Sequence, residues 1–83
     1  MPDVKIYGAD WCSLTRAALA HLNELRVPYQ YVNIDKDKAA ARWVRDQNHG
    51  KERKPTINIG GRILSEPDTE ELDAALTAQG LLR

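Results

Sequence analysis

The chain has 83 residues, enough for one small domain and too few for two. Its 12 lysines and arginines balance its 12 aspartates and glutamates, so it lacks the broad positive charge that nonspecific nucleic-acid binding requires. No stretch approaches the roughly 18 apolar residues that span a bilayer, and the first residues lack the basic and then apolar pattern of an export signal. We therefore expect one domain over residues 1–83, located in the cytoplasm, with neither a membrane nor nucleic acid as a partner.

The first predicted strand leads into a helix, and the only cysteine lies between them. Val4 to Tyr7 alternates apolar and polar residues, and residues 8–10 are small or turn-forming. The helix should begin at or beside Cys12, because apolar residues then recur at helical spacing: Leu14, Ala18, Leu22 and Leu25. One cysteine excludes an internal disulfide, and a lone thiol favours a reducing compartment.

A second strand and a second helix follow. Pro28 ends the first helix, and residues 29–34 are rich in the β-branched and aromatic residues that strands prefer. Residues 35–37 supply caps for a helix that should stop near residues 48–50. One side of this helix is predicted to contain Ala40, Trp43, Val44 and Gln47.

Two short strands and a third helix complete the predicted elements. Residues 51–54 form a charged loop that ends at Pro55, residues 56–59 read as a strand, and residues 62–64 pair with it across a Gly60-Gly61 turn. Pro67 and Asp68 open the last helix, in which Asp68 and Glu71 have the spacing of a capping box. The apolar positions of this helix are Leu72, Ala75 and Leu76, and the helix is predicted to stop at Gly80.

The predicted order is therefore β-α-β-α-β-β-α. The helix between the first two strands implies that they are parallel, whereas the short turn makes the last two antiparallel. We predict an α/β fold with a four-stranded mixed sheet and three helices.

The position of Cys12 predicts a reactive thiol. A helix N-terminus offers free N–H groups and the positive end of the macrodipole, which favour the thiolate. Lowering the thiol pKa from about 8.5 to about 6 needs about 3.4 kcal/mol, and a helix terminus supplies at best about 2 kcal/mol. We expect the remainder from the amides of Leu14 and Thr15 and from the Thr15 hydroxyl. The Arg53-Lys54 pair should add positive charge, and Asp10 should oppose it.

Four pieces of the sequence, in this order, carry a family resemblance: Ile6-Tyr7 with Trp11-Cys12, Tyr31 to Asp35, Pro55 to Ile57, and Leu64 to Asp68. Together they are similar to the glutaredoxin family of the thioredoxin fold, and most closely to its mycoredoxin branch. The resemblance implies a thiol–disulfide oxidoreductase. It also implies that Cys12 is the nucleophile and that Pro55 follows a cis peptide bond and packs beside it.

Two departures from the family pattern point to a monothiol mechanism and an altered site. Thr15 stands where a dithiol glutaredoxin has its resolving cysteine, so the intramolecular disulfide cannot form. Arg53-Lys54 replaces the usual Thr-Val before the proline. The C-G-F-S motif of cluster-carrying relatives is absent, and Ala9 occupies the place of their lysine. In the resulting cycle, Cys12 takes a small thiol from a mixed disulfide with a protein, and a second small thiol releases it.

The partners expected from this cycle are S-thiolated proteins, a low-molecular-weight thiol and a reductase that recycles it. Carboxylates of the small thiol would meet Lys51, Arg53 and Lys54, together with the helix N-terminus at Asp68, and Trp11 would shape the approach to the sulfur. Mycothiol, bacillithiol and glutathione remain alternatives. We expect a monomer, and no metal, because no histidine has metal-ligand spacing with the cysteine.

Two other functions remain open from the sequence. The loss of the second cysteine is also compatible with a non-catalytic binding module that keeps the fold, because fold alone does not guarantee function. A homodimer bridged by an iron–sulfur cluster, with external thiols as ligands, is the third interpretation. The thiolate character of Cys12 separates the first two.

Overall fold

The computed structural model describes residues 3–82. Residues 1 and 2, which belong to the segment expected to lack an export signal, lie outside that range, as does residue 83. The elements occur in the predicted order: β1 (Val4–Gly8), α1 (Ser13–Glu24), β2 (Gln30–Asn33), α2 (Lys38–Gln47), β3 (Thr56–Ile59), β4 (Arg62–Ser65) and α3 (Thr69–Ala78). The predicted fold class is confirmed, with shifts of one or two residues at the ends of several elements.

The four strands form one mixed sheet in the order β2-β1-β3-β4. β1 is parallel to β2, with Ile6 opposite Tyr31, and antiparallel to β3, with Ile6 also opposite Ile57. β4 pairs antiparallel with β3 across the glycine turn. Because β1 lies between β2 and β3, the loop after its last residue leaves the sheet at its centre.

The two faces of the sheet carry separate apolar clusters, because successive side chains of a strand point to opposite faces. On one face, Ile6 packs with α1 and α3 in the larger cluster, which contains Val4, Ile6, Leu22, Val27, Ile57, Ile59, Leu64, Leu72, Ala75 and Leu76. On the other face, Tyr7 packs with α2 and Ile34, and its ring centroid lies 4.5 Å from that of Trp43. The sheet is therefore covered on both faces.

The helix caps follow the sequence. Asp37 caps α2 by accepting a hydrogen bond from the Ala40 N–H at 2.9 Å. Asp68 and Glu71 form the predicted capping box at the start of α3, where the Asp68 carboxylate accepts from the Glu71 N–H at 2.8 Å. Such caps satisfy backbone donors that a helix start otherwise leaves free.

The inner face of α1 differs from the prediction at its first turn. Leu14, expected on the apolar face, is 53% exposed, whereas Thr15 is completely buried. Thr15 and Leu22 lie seven residues apart, two helical turns, and both face the sheet. The apolar pattern alone favoured Leu14, but the direction in which the helix leaves β1 turns that side chain outward.

Within residues 3–82, no helix is both long and apolar enough to span a membrane.

Candidate active site

Cys12 is the N-cap residue of α1. Its backbone is extended, with φ −80° and ψ 119°, and its carbonyl accepts the first helical hydrogen bond from the Arg16 N–H at 3.0 Å. The sulfur is half-buried. It occupies the position from which capping oxygens of Ser, Thr, Asp and Asn accept hydrogen bonds from the second and third helical N–H groups. In this helix those groups belong to Leu14 and Thr15.

The environment of Cys12 favours its ionised form. Burial of the sulfur raises the thiol pKa, but the Thr15 hydroxyl, the Thr15 N–H and the Leu14 N–H, as donors to a thiolate at this N-cap, lower it, and so does the charge of Lys54. The lowering interactions outweigh burial, so the pKa of Cys12 lies below its ordinary value. A thiol with a lowered pKa is ionised, and therefore nucleophilic, at a lower pH than free cysteine.

Thr15 is held in place by the end of β1. Its side chain is completely buried, and a Cβ atom built on Gly8 would lie 2.4 Å from its Oγ1. The Ala9 N–H donates to that Oγ1 at 3.4 Å. Since the oxygen is already an acceptor for Ala9, its own proton is available to the Cys12 sulfur. The role predicted for the Thr15 hydroxyl requires this proton and stays a prediction.

Pro55 brings the segment before β3 against the sulfur. The Lys54–Pro55 peptide bond is cis, as the resemblance implies, and Pro55 is buried. In the neutral thiol, the Cys12 S–H donates to the Lys54 carbonyl oxygen at 3.8 Å. The Pro55 carbonyl accepts from the Glu66 N–H at 2.8 Å, which ties this segment to the loop before α3. The sequence-distant residues 12 and 54 thus meet at one site.

A polar network centred on Asn48 fixes the same segment from the side of α2. Asn48 is buried, and its Nδ2 donates to the Val44 carbonyl at 2.7 Å and to Thr56 Oγ1 at 3.1 Å. The Thr56 hydroxyl donates to the Arg53 carbonyl at 2.8 Å, and the Ser65 hydroxyl donates to Asn48 Oδ1. Buried polar groups are costly unless bonded, so this network specifies one arrangement of the residues before Pro55.

Trp11, the residue before Cys12, contacts the side chain of Lys54, whose carbonyl lies against the sulfur. The Trp11 side chain is 64% exposed, yet its Nε1 donates to Asp35 Oδ2 at 2.7 Å. The Lys54 Nζ lies over the indole, 5.3 Å from the ring centroid, and donates to the Glu52 carbonyl at 3.5 Å. The two predicted site residues therefore contact each other, and Asp35 joins them.

The other residues predicted to bind the small thiol have different surroundings. The Arg53 NH1 forms an ion pair with Glu66 Oε2 at 3.1 Å, so its charge is partly compensated. Lys51 is exposed. Of the Arg53-Lys54 pair, it is Lys54 whose charge lowers the pKa of Cys12. Asp68 caps α3, with its carboxylate turned to its own helix.

Tyr31 is a site residue that the sequence did not reveal. Its hydroxyl donates to Asp10 Oδ1 at 2.7 Å, which engages the carboxylate expected to oppose ionisation of the thiol. Burial raises the pKa of Tyr31, and the bond and charge of Asp10 and the charges of Asp35 and Cys12 raise it further, so Tyr31 stays neutral. The signal that could have identified Tyr31 is the parallel pairing of β1 with β2, because it brings the carboxyl ends of both strands to the same edge of the sheet.

Two concave surfaces flank this site. A mainly apolar groove of about 210 Å³ runs between α1 and the start of α3, and its lining includes Leu14, Ala17, Ala18, Pro55, Pro67 and Leu72. A more open and charged pocket of about 670 Å³ lies beside α2, and Asp35 forms part of both its lining and the Trp11 contact. The cations of this pocket, missed by the sequence analysis, are Lys38, Arg42 and Arg45, of which Arg45 pairs with Glu52 at 2.6 Å.

Across residues 3–82, no cluster of three or more His, Cys, Asp or Glu side chains is arranged to hold a metal ion. Both histidines lie away from the sulfur in the sequence, and the ring of His21 contacts Asp73 Oδ1 at 2.7 Å, between α1 and α3.

Comparisons with known proteins point to one family. The glutaredoxin family model matches residues 4–64. Mycoredoxin 1 of Corynebacterium glutamicum is 32% identical over 79 residues, which cover 94% of this chain and 98% of that protein. The crystal structure of a glutaredoxin from Archaeoglobus fulgidus superimposes with a TM-score of 0.80 at 22% identity, covering 92% of this chain and 87% of that one. A variant of the thioredoxin-like protein BC3987 gives 0.77 at 25% identity, covering 93% and 97%.

Proposed function

The chain belongs to the glutaredoxin family, and we propose that it reduces mixed disulfides between proteins and a low-molecular-weight thiol by a monothiol mechanism. One observation carries the proposal. The single cysteine is the N-cap of α1, half-buried rather than enclosed, with donors and a cation that lower its pKa. These donors and this cation would be unnecessary for a cysteine that served only as a small core residue.

The proposed cycle has two exchange steps. In the first, the Cys12 thiolate attacks the small-thiol sulfur of a mixed disulfide, that S–S bond breaks, and the protein thiolate leaves and takes a proton from water. Cys12 then carries the small thiol as a mixed disulfide. In the second, the thiolate of another small-thiol molecule attacks the small-thiol sulfur, and Cys12 leaves as a thiolate. The products are reduced Cys12 and the disulfide of the small thiol, which a separate reductase consumes.

The same groups assist both steps. Donors that stabilise the Cys12 thiolate increase its fraction in the first step and make it a better leaving group in the second. The Thr15 hydroxyl and the N–H groups of Leu14 and Thr15 perform this role because α1 fixes them before any substrate arrives. Thr15 also takes the place of a second thiol, so only an external thiol can resolve the mixed disulfide on Cys12.

We propose that the cationic side of the site holds the small thiol. Lys54 lies over Trp11, and Lys38 and Arg42 line the pocket that Asp35 connects to that pair. Glutathione and bacillithiol carry carboxylates that these cations would attract, whereas mycothiol carries no net charge. The three thiols therefore differ in how strongly they depend on Lys54 and Arg42.

The polypeptide part of the substrate would use the other side. The groove between α1 and α3 is mainly apolar and reaches Pro55, the residue after the Lys54 carbonyl that contacts the sulfur. The exposed Leu14 side chain lies at its edge, two residues after Cys12. Apolar grooves of this kind suit side chains of a bound segment.

The experiment that tests the function offers the reduced protein a carrier protein bearing glutathione, mycothiol or bacillithiol on one cysteine. Intact mass should show one small-thiol adduct on this chain, and the matching free thiol should remove it. Cys12→Ser should form no adduct. Lys54→Met should slow transfer of the two anionic thiols more than that of mycothiol. If none of the three thiols is transferred, the catalytic proposal fails and the chain is a binding module. If the as-purified protein is brown, the cluster-bridged dimer is favoured instead.

A further inference from the structure

Trp11 is exposed but held at two points. An indole that is 64% exposed retains little burial energy to fix its orientation. Here the ring edge is fixed by the 2.7 Å bond from Nε1 to Asp35 Oδ2, and the ring face meets the Lys54 Nζ at 5.3 Å from the centroid. Asp35 follows β2 and Lys54 precedes β3, so the contact joins two elements on opposite sides of β1.

Lys54 needs such a support, because a lysine ammonium on a flexible four-carbon stem does not stay at one place by itself. Within residues 3–82, the Lys54 ammonium otherwise donates to the Glu52 carbonyl at 3.5 Å, at the outer limit of hydrogen bonding. The Lys54 backbone is fixed beside the sulfur, with its carbonyl oxygen 3.8 Å from Cys12 Sγ. The position of the ammonium relative to the sulfur is thus decided by where the side chain is held.

We propose that Trp11 is a positioning residue that acts through Lys54: the indole, oriented by Asp35, holds the ammonium where its charge reaches the Cys12 sulfur. The inference rests on the proposed function for the identity of Cys12 as the nucleophile. It assigns to Trp11 an electrostatic role through a neighbour, in addition to any contact that it makes with substrate. Because Lys54 stands where the family usually has an uncharged residue, the role belongs to this chain.

Other charged and titratable groups around the sulfur also influence the pKa of Cys12, so their partners matter. Asp10 precedes α1 and accepts from the Tyr31 hydroxyl of β2 at 2.7 Å. The Arg16 guanidinium of α1 donates to the Asp10 carbonyl at 3.2 Å. Asp35 is engaged by the Trp11 N–H. Asp10 keeps its partners when Trp11 is replaced, whereas Asp35 loses its donor, so the test must separate the freed Asp35 carboxylate from the released Lys54 ammonium.

A cycle of variants separates this role from a packing role. The thiolate absorbance of Cys12 is titrated in the wild-type protein, in Trp11→Leu, in Lys54→Met and in the double variant. Trp11→Leu should raise the thiol pKa by about 0.3–0.7 pH units, and no further than Lys54→Met raises it. In the Lys54→Met background, Trp11→Leu should have no more effect than Trp11→Phe, because both variants free the Asp35 carboxylate alike. Trp11→Phe keeps the ring face and loses the bond to Asp35, so it should give a smaller rise.

Two results would overturn the inference. Equal rises from Trp11→Leu with and without Lys54 would mean that Trp11 acts on the thiol independently of the ammonium, and no rise would mean that it does not act on it. The titration requires no turnover, so it decides the role of Trp11 even if the transfer experiment finds no substrate. The converse result is that the small thiol is transferred while the effects of Trp11 and Lys54 on the Cys12 pKa are independent. That result supports the proposed function and excludes the positioning role of Trp11.

Discussion

Gly8 and Thr15 are in such close contact that the last residue of β1 has room for no side chain. A Cβ atom on Gly8 would lie 2.4 Å from Thr15 Oγ1 and 2.6 Å from its Cγ2, distances that real Cβ atoms do not tolerate. The Gly8 carbonyl also accepts from the Ile34 N–H at 2.9 Å, which prevents the strand from moving away freely. The centre of the sheet therefore fixes the hydroxyl that we propose stabilises the Cys12 thiolate.

Gly8→Ala should disturb both the fold and the thiol. We expect a loss of about 1–3 kcal/mol in the free energy of unfolding, because the new methyl group overpacks a buried contact. The displaced Thr15 hydroxyl should also raise the pKa of Cys12. Denaturant unfolding and thiolate titration measure the two effects. In a Thr15→Ala background, where the two closest clashing atoms are gone, Gly8→Ala should cost less, and an equal cost in both backgrounds would contradict this explanation.

Thr15→Val tests the hydroxyl itself. Valine has nearly the same shape, but it cannot donate to the sulfur or accept from the Ala9 N–H. We expect the Cys12 pKa to rise and the free energy of unfolding to fall by about 1 kcal/mol. Thr15→Ser retains the hydroxyl and should keep the pKa lowered. An unchanged thiol pKa in the valine variant would show that the hydroxyl has no part in activating Cys12.

Lys54→Met should raise the pKa of Cys12, because it removes the cation whose charge favours the thiolate. Lys51→Met is the matched control, since it removes the same charge from an exposed position in the same loop. The difference between the variants should shrink at high salt, which screens charges near the surface. Equal titration curves for both variants would assign the effect to general loop charge rather than to Lys54.

Asn48→Ala should destabilise the fold by about 1–3 kcal/mol, because the buried Val44 carbonyl and the Thr56 and Ser65 hydroxyls lose a partner. Gln47→Ala, at the preceding exposed position, serves as the control and should change the free energy of unfolding little. Urea unfolding of both variants measures the difference. Similar stabilities would mean that the network does not fix the segment before Pro55.

The parts of the fold and the site that local chemistry determines could be predicted from the sequence. The capping box at Asp68, the glycine turn between β3 and β4, and the position of Cys12 between β1 and α1 depend on residues within a few positions of one another. The cis bond before Pro55 was expected from the family resemblance and is present. Each of these features is set by neighbours along the chain or by the shared family pattern.

Side-chain partners across the fold could not be predicted in the same way. Whether Arg53 faces the sulfur or pairs with Glu66 depends on the loop before α3, which is thirteen residues away in the sequence. The bond between Trp11 and Asp35 depends on the parallel pairing of β1 with β2. The exposed Leu14 shows the limit most clearly. Helical spacing predicts which residues share a face, but which face packs on the sheet depends on the direction of the helix relative to the sheet.

The most direct test of the account is the rate of Cys12 alkylation as a function of pH. With a lowered thiol pKa, the rate should rise with pH and reach its plateau at a lower pH than for a free cysteine, whose pKa is about 8.5. In unfolded protein, the profile should return to that of the free amino acid. A folded-state profile that coincides with the free cysteine profile, or lies above it in pH, would contradict the claim that the start of α1 prepares Cys12 for thiol exchange.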